Sequence, residues 1–224
     1  MRTQAKARLQ QDLSLYFVAG TMNCNSPEDF YRILLQAIEG GITAFQFREK
    51  GVNCLSGQKQ LEMAKRAREV CQKHDVLFIV NDDLALMKAV DADGLHVGQT
   101  DGDLDFMRRE TEGKLLGVSA HTLAEAVDAI AHGADYIGAG PIYQTSTKPD
   151  AKKPVGVDLI AEFRNNHINV PLVGIGGITL ENASEVIKSG ADGVAVISAI
   201  SGAVDPSAIS SNLLRAVHTA KRGS

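Results

Sequence analysis

The pentapeptide Gln46-Phe-Arg-Glu-Lys50 closes the apolar run Ile42-Thr-Ala-Phe-Gln46, which reads as a short strand. Side chains alternate along a strand, so Gln46, Arg48 and Lys50 point to one side and Phe45 and Phe47 to the other. Two cations and an amide at a strand's carboxyl end suit an anionic ligand. A guanidinium grips phosphate through two bonds, and an ammonium adds a compact charge. A second set of residues is acidic. Asp82, within Val80-Asn-Asp-Asp83, and Asp101 are two carboxylates suited to one magnesium ion, which takes one or two carboxylates, water and substrate phosphate oxygens. Asp83 reads as a helix cap. A third set is made of glycine and hydroxyl groups. In Gly174-Ile-Gly-Gly-Ile178 and Val196-Ile-Ser198, glycine lets backbone N–H groups approach phosphate oxygens. Thr145-Ser-Thr-Lys148 adds three hydroxyls and a cation, followed by a polar loop with Lys152 and Lys153 that suits a lid or a solvated connection.

The elements that must position these groups alternate regularly. Apolar runs at Leu15–Ala19, Ile42–Gln46, Val76–Val80, Gly94–Val97, Leu115–Val118, Tyr136–Ala139, Pro171–Gly174 and Gly193–Ile197 read as strands. Helices follow at about 27–40, 58–74, 84–89, 104–110, 123–132, 158–165, 180–189 and 206–221, the first with Ser26 as its cap and Pro27 at its first position. The strands are continuously apolar, as in parallel sheets buried on both faces. A weak echo recurs between helix and strand: Gly40-Gly-Ile-Thr43, Asp91-Ala-Asp93, Gly133-Ala-Asp135 and Gly190-Ala-Asp192. Eight units point to an α/β fold, a single-domain (β/α)8 TIM barrel over residues 15–224, with residues 1–14 as a polar, helix-compatible extension. A doubly wound open sheet is the alternative, and the lack of a Gly-x-Gly-x-x-Gly turn after strand one counts against it. In a TIM barrel the active site is built at the carboxyl ends of the strands. Those ends also carry Asn81, His96, Gln99, Ser119, His121, Gly176 and Gly177, with Ile197 and Ser198 after strand eight in the fold's usual phosphate site.

Composition narrows the function classes. The chain has 224 residues, 44% of them hydrophobic, and a net charge of -4 that argues against a general nucleic-acid surface while leaving room for a local cationic pocket. No stretch is long and apolar enough to span a membrane, and the cationic start lacks the apolar segment of a secretory signal, so a cytoplasmic address is expected. Cys24, Cys54 and Cys71 show no Cys-x-x-Cys spacing and indicate neither a disulfide framework nor a zinc knuckle. His74, His132, His167 and His218 read as structural or exposed, and His121 as structural or pocket-lining. A homo-oligomer is compatible with the chain but argued by no residue.

Taken together, Gln46-Phe-Arg-Glu-Lys50, Val80-Asn-Asp-Asp83, Gly94-Leu-His-Val-Gly-Gln99 with Asp101, Gly117-Val-Ser119, Gly140-Pro-Ile-Tyr-Gln-Thr-Ser-Thr-Lys148 and Ile175-Gly-Gly-Ile178 resemble thiamin phosphate synthase, in the family's order, from about Leu15 to Ile200. The resemblance implies a TIM barrel that condenses hydroxymethylpyrimidine diphosphate with thiazole phosphate, releasing diphosphate. It implies that Gln46, Arg48, Lys50, Asn81, Ser119 and Lys148 bind the pyrimidine diphosphate, with Arg48, Lys50, Lys148 and Ser119 acting in catalysis. It further implies one magnesium ion on Asp82 and Asp101, and contact of Thr145, Ser146, Thr147, Gly177, Ile197 and Ser198 with the thiazole phosphate. Thr100 stands where the family commonly has an acid. The partners implied are these small molecules. Rival readings are an isomerase like the related thiazole tautomerase, using His121, and a non-catalytic phosphate-binding barrel.

Overall fold

The computed structural model describes residues 2–51, 54–145, 147 and 153–223. Eight parallel strands close into a barrel in sequence order: β1 (Leu15–Ala19), β2 (Ala44–Phe47), β3 (Leu77–Asn81), β4 (Gly94–Val97), β5 (Leu115–Ala120), β6 (Tyr136–Ala139), β7 (Leu172–Ile175) and β8 (Gly193–Val196). β1 pairs with β8 through Leu15↔Val194, Tyr16↔Ala195 and Phe17↔Val196, which closes the ring. The helices are α1 (Arg2–Asp12), α2 (Pro27–Glu39), α3 (Gly57–Lys73), α4 (Leu84–Ala89), α5 (Leu104–Glu110), α6 (Leu123–Ala131), α7 (Asp158–Asn165), α8 (Ala183–Lys188), α9 (Ser198–Ser201) and α10 (Pro206–Arg222). The TIM barrel expected from the alternation is the fold observed.

The differences from the expected boundaries have local causes. β3 and β5 run on to Asn81 and Ala120, because polar Asn81 and Ser119 still pair through their backbones with His96 and Gly138. α8 starts only at Ala183, since Asn182 Oδ1 accepts the Thr179 N–H at 2.8 Å and turns the chain first. A 3-10 turn at Thr21–Asn23 and the four-residue α9 are too short to show periodicity. The Ser26 cap stands, accepting the Asp29 N–H at 3.1 Å, and Asp83 caps α4 by accepting from Leu86 N at 2.9 Å.

The alternation on β2 holds. Phe45 and Phe47 pack outward with Phe30 of α2 and Phe78 of β3, while Gln46 turns inward. The barrel interior holds Tyr16, Val18, Ala44, Ile79, Tyr136, Val173 and Ala195, and Leu13 with Leu9 of α1 packs against this cluster.

The sequence echo becomes a repeated clamp at the amino ends of the strands. Just before β2, β4, β6 and β8, the side chains of Thr43, Asp93, Asp135 and Asp192 accept the backbone N–H of Leu15, Phe78, Leu116 and Leu172, from the preceding odd-numbered strand, at 2.8–3.0 Å. Each of the four gives its own N–H back to the carbonyl of the same residue. Arg68 of α3, Arg108 of α5 and Arg164 of α7 pair with Asp93, Asp135 and Asp192. Arg164 also donates to the carbonyls of Ile168, Val170 and Gly190, so one guanidinium holds a strand, a helix and two loops. Thr43 does the same backbone work without charge. Arg164→Met is therefore expected to cost about 2 kcal/mol in urea unfolding, since it strips partners from a mostly buried carboxylate. Removing the exposed Arg8 of the Arg8–Asp12 pair should cost no more than about 0.5 kcal/mol.

Candidate active site

The carboxyl ends of the strands surround a cavity of about 300 Å³, within the range of small-molecule sites. Arg48, Lys50, Asn81, Asp82, Asp101 and Ser119 line one part of it, and Thr145, Thr147, Gly177, Ile197 and Ser198 another. Ser146, Lys148 and Lys152 lie outside the described residues.

The first part is electrostatic. Lys50 Nζ donates to Asp82 Oδ2 at 2.6 Å and lies 3.4 Å from Asp101 Oδ1, so the two carboxylates converge on one cation. Burial pulls the Lys50 pKa down, but the hydrogen bond to Asp82 and both negative charges outweigh it, and the net shift is upward. The two acids diverge. Burial, helped by the Asp101 charge, raises Asp82 against the pull of Lys50. Burial also acts on Asp101, but the Gly98 N–H, donated to its Oδ2 at 2.8 Å, together with Lys50 and Asp82, brings it below the usual range. Asp82 adopts a left-handed backbone, φ 59, which places a non-glycine residue under local strain, as is common where a side chain must be aimed. Among the described residues no cluster of three or more His, Cys, Asp or Glu side chains has metal-binding spacing. Two hard carboxylates with nothing softer beside them match the sparse protein ligation of magnesium rather than a zinc or calcium cage.

Arg48 stands next to this group. Its Nε is buried and, among the described residues, is the buried side-chain nitrogen or oxygen without a hydrogen-bond partner. A buried unpaired guanidinium donor is costly, and an incoming anion relieves it. Gln46 lies deeper, 4% exposed, with Nε2 donating to Tyr16 Oη at 2.8 Å. It lines a smaller space of about 20 Å³ rather than the main cavity, and that space shares Arg48, Asn81, His96 and Ser119 with the main lining.

The second part is backbone and hydroxyl. Thr147 Oγ1 lies 3.4 Å from Ser198 Oγ, and Thr147 N donates to Thr145 Oγ1 at 3.2 Å. Gly177 has φ +64, and a Cβ there would lie 2.5 Å from the Gln144 carbonyl, so only glycine fits between β7 and the loop after β6. His121 reaches the cavity wall, but its Nδ1 bonds the Gly140 carbonyl and its backbone N–H donates to Glu125 Oε2, which suits the structural reading. Thr100 also lines the cavity.

Sequence reasoning misses Tyr16 and Tyr136, and places His96 and Gln99 at strand ends without their partners. Tyr16 and Tyr136 sit in the barrel interior, and His96 links Tyr136 to Ser119. The period of two places Tyr16 opposite to Phe17, but no spacing shows that two tyrosines 120 residues apart meet. Gln99 donates to the Ser119 carbonyl at 2.7 Å and thereby ties the loop after β4 to the end of β5.

A closed parallel barrel whose strand ends join a cation–carboxylate group to a glycine-and-hydroxyl wall defines a TIM-barrel enzyme acting on phosphorylated small molecules. Comparison with known proteins gives the particular one. The profile described as thiamine monophosphate synthase matches residues 15–200. Thiamine-phosphate synthase of Bacillus thuringiensis strain Al Hakam is 50% identical over 197 residues, covering 88% of this chain and 89% of its own. That of Geobacillus kaustophilus is 46% identical over 217 residues, 97% of each chain. The structure of thiamine phosphate pyrophosphorylase from Pyrococcus furiosus superposes with a TM-score of 0.84 at 33% identity, covering 95% of this chain and 98% of the other. The chain belongs to the thiamine monophosphate synthase family, and it is a transferase of thiamin biosynthesis.

The opposed shifts of the two acids have a measurable outcome. Asp82 binds its proton more tightly folded than unfolded, so its contribution to stability falls as pH rises through the folded pKa; at neutral pH its charge is a burden. Asp101 is depressed, so its contribution is present above its unfolded pKa and lost in acid. Asp82→Asn, which also suits a left-handed backbone, is expected to raise the thermal midpoint at pH 7, and Asp101→Asn to lower it.

Proposed function

We propose that the cavity condenses 4-amino-2-methyl-5-hydroxymethylpyrimidine diphosphate with thiazole phosphate by dissociative loss of diphosphate, with Asp82 and Asp101 holding one magnesium ion. The observation that carries this reading is the convergence of Lys50 on Asp82 and Asp101 beside the unpaired Nε of Arg48. Once bound, the ion would supply positive charge to the departing diphosphate oxygens. Arg48 and Lys50 bind the same diphosphate and neutralise charge as the methylene carbon–oxygen bond breaks and its electron pair leaves with diphosphate. Lys148, assigned by the family resemblance, joins them. The thiazole nitrogen, whose lone pair is already free, closes the new carbon–nitrogen bond, so no general base is needed.

Thr145, Thr147, Gly177, Ile197 and Ser198 hold the thiazole phosphate, with Ser146 assigned there by the family resemblance; Asn81 and Ser119 hold the pyrimidine, with Gln46 likewise assigned by the resemblance. Alignment of the two ligands across one cavity supplies the proximity that a two-substrate condensation requires. A cytoplasmic address belongs to the same reading.

The test is diphosphate release with both substrates, with and without magnesium, alongside mass detection of thiamin phosphate. Stoichiometric, metal-dependent formation of both products is expected. Arg48→Ala and Lys50→Ala should each lower kcat about 100-fold, the scale of losing one charge-stabilising group. Metal-independent turnover, or thiazole phosphate binding without condensation, would overturn the mechanism.

A further inference from the structure

A line of hydrogen bonds crosses the barrel interior and ends at the cavity. Gln46 Nε2 donates to Tyr16 Oη at 2.8 Å. Tyr16 Oη lies 2.9 Å from Tyr136 Oη, Tyr136 Oη 3.0 Å from His96 Nδ1, and His96 Nε2 3.0 Å from Ser119 Oγ. Both tyrosines are almost wholly buried, and Ser119 lines the main cavity.

The line has a direction. A hydroxyl carries one proton, so Tyr16, which receives the Gln46 amide hydrogen, spends its own on Tyr136. Tyr136 in turn donates to His96 Nδ1. A neutral imidazole that accepts at Nδ1 carries its hydrogen on Nε2, and that hydrogen goes to Ser119 Oγ. The Ser119 proton is then left to point into the site.

We propose that this relay occupies one lone pair of Ser119 and frees its proton for the ligand, so that the site favours a heteroaromatic ring presenting an acceptor nitrogen there. Tyr16, Tyr136 and His96 are positioning residues that act through Ser119. The assignment of the ring rests on the pyrimidine reading above; the direction of the relay does not.

The surroundings are built for it. A Cβ on Gly117 would lie 2.1 Å from Tyr136 Cζ, and one on Gly138 would lie 3.2 Å from His96 Cε1, so two glycines on adjacent strands make room for the two rings. Burial raises the pKa of Tyr16 and holds that of Tyr136 well above the usual phenol range, so each keeps a proton to pass on. A serine without such a relay offers two lone pairs as well as its proton; here the His96 N–H takes one of them and biases the hydroxyl toward donating.

The first measurement is 15N NMR of the histidine-labelled protein, with the His96 signals assigned by their loss in His96→Asn. Protonated Nε2 and bare Nδ1 are expected. The opposite tautomer reverses the line and overturns the proposal, whatever the enzyme turns over. Tyr136→Phe keeps the ring but removes the donor to Nδ1, and should shift His96 toward the Nδ1–H tautomer. It should lower kcat/KM for the pyrimidine diphosphate about tenfold, the equivalent of one hydrogen bond to a ligand, while KM for thiazole phosphate and inhibition by inorganic diphosphate stay within about twofold. Adding Ser119→Ala to Tyr136→Phe should lose no more than Ser119→Ala alone. Additive losses, or equal weakening of inorganic diphosphate, would show a general structural effect and overturn the relay. If the wild type shows the expected tautomer but no turnover of the pyrimidine diphosphate, the relay stands and the substrate reading falls.

Discussion

Closure of the sheet between Leu15–Phe17 and Val194–Val196 is the constraint on which the other features depend. Once β1 and β8 pair, no strand edge is left, and each strand has an inner and an outer face. The outer face must be apolar because helices cover it, which Phe45, Phe47 and Phe78 satisfy together with Phe30. The inner face is buried, so polar groups on it find partners on other strands. Gln46, Tyr16, Tyr136, His96 and Ser119 do so in sequence, and the last of them comes out at the cavity.

Much of this was legible in the chain. The alternation of apolar runs with helical periods set the number and order of units, because parallel strands buried on both faces leave no other pattern. The candidate site was legible for a related reason: in a barrel, the residue that follows each strand is at the same end as all the others, so Arg48, Asp82, Asp101 and Ser198 could be grouped without knowing a single distance. What could not be read was pairing across the barrel. Nothing local to Tyr16 indicates Tyr136, and nothing in Gln46 indicates that it donates inward rather than lining the main cavity. The left-handed backbone of Asp82 also leaves no sequence signature, since aspartate is ordinary before a helix. The echo of Thr43, Asp93, Asp135 and Asp192 was visible as a repeat, but its meaning depended on the preceding strands, to which each of these residues is bonded.

The two carboxylates at the site show how stability and chemistry are divided. Asp101 is stabilised by the Gly98 N–H and fits its surroundings. Asp82 is half-buried, raised in pKa and set on a strained backbone. One acid is comfortable and the other is held in place by the fold, a common arrangement where side-chain direction matters more than local energy.

The clamps at the amino ends of the strands have a mechanical consequence. Each joins two strands through reciprocal bonds, and three of them are also tied to a helix by an arginine. The opposite end, where the cavity lies, is tied instead by individual contacts, such as Gln99 to the Ser119 carbonyl and Lys50 to Asp82 and Asp101. The repeated clamp thus works like a hoop at the rim away from the cavity. The loops that meet the substrates can move without loosening the closure that holds the sheet together.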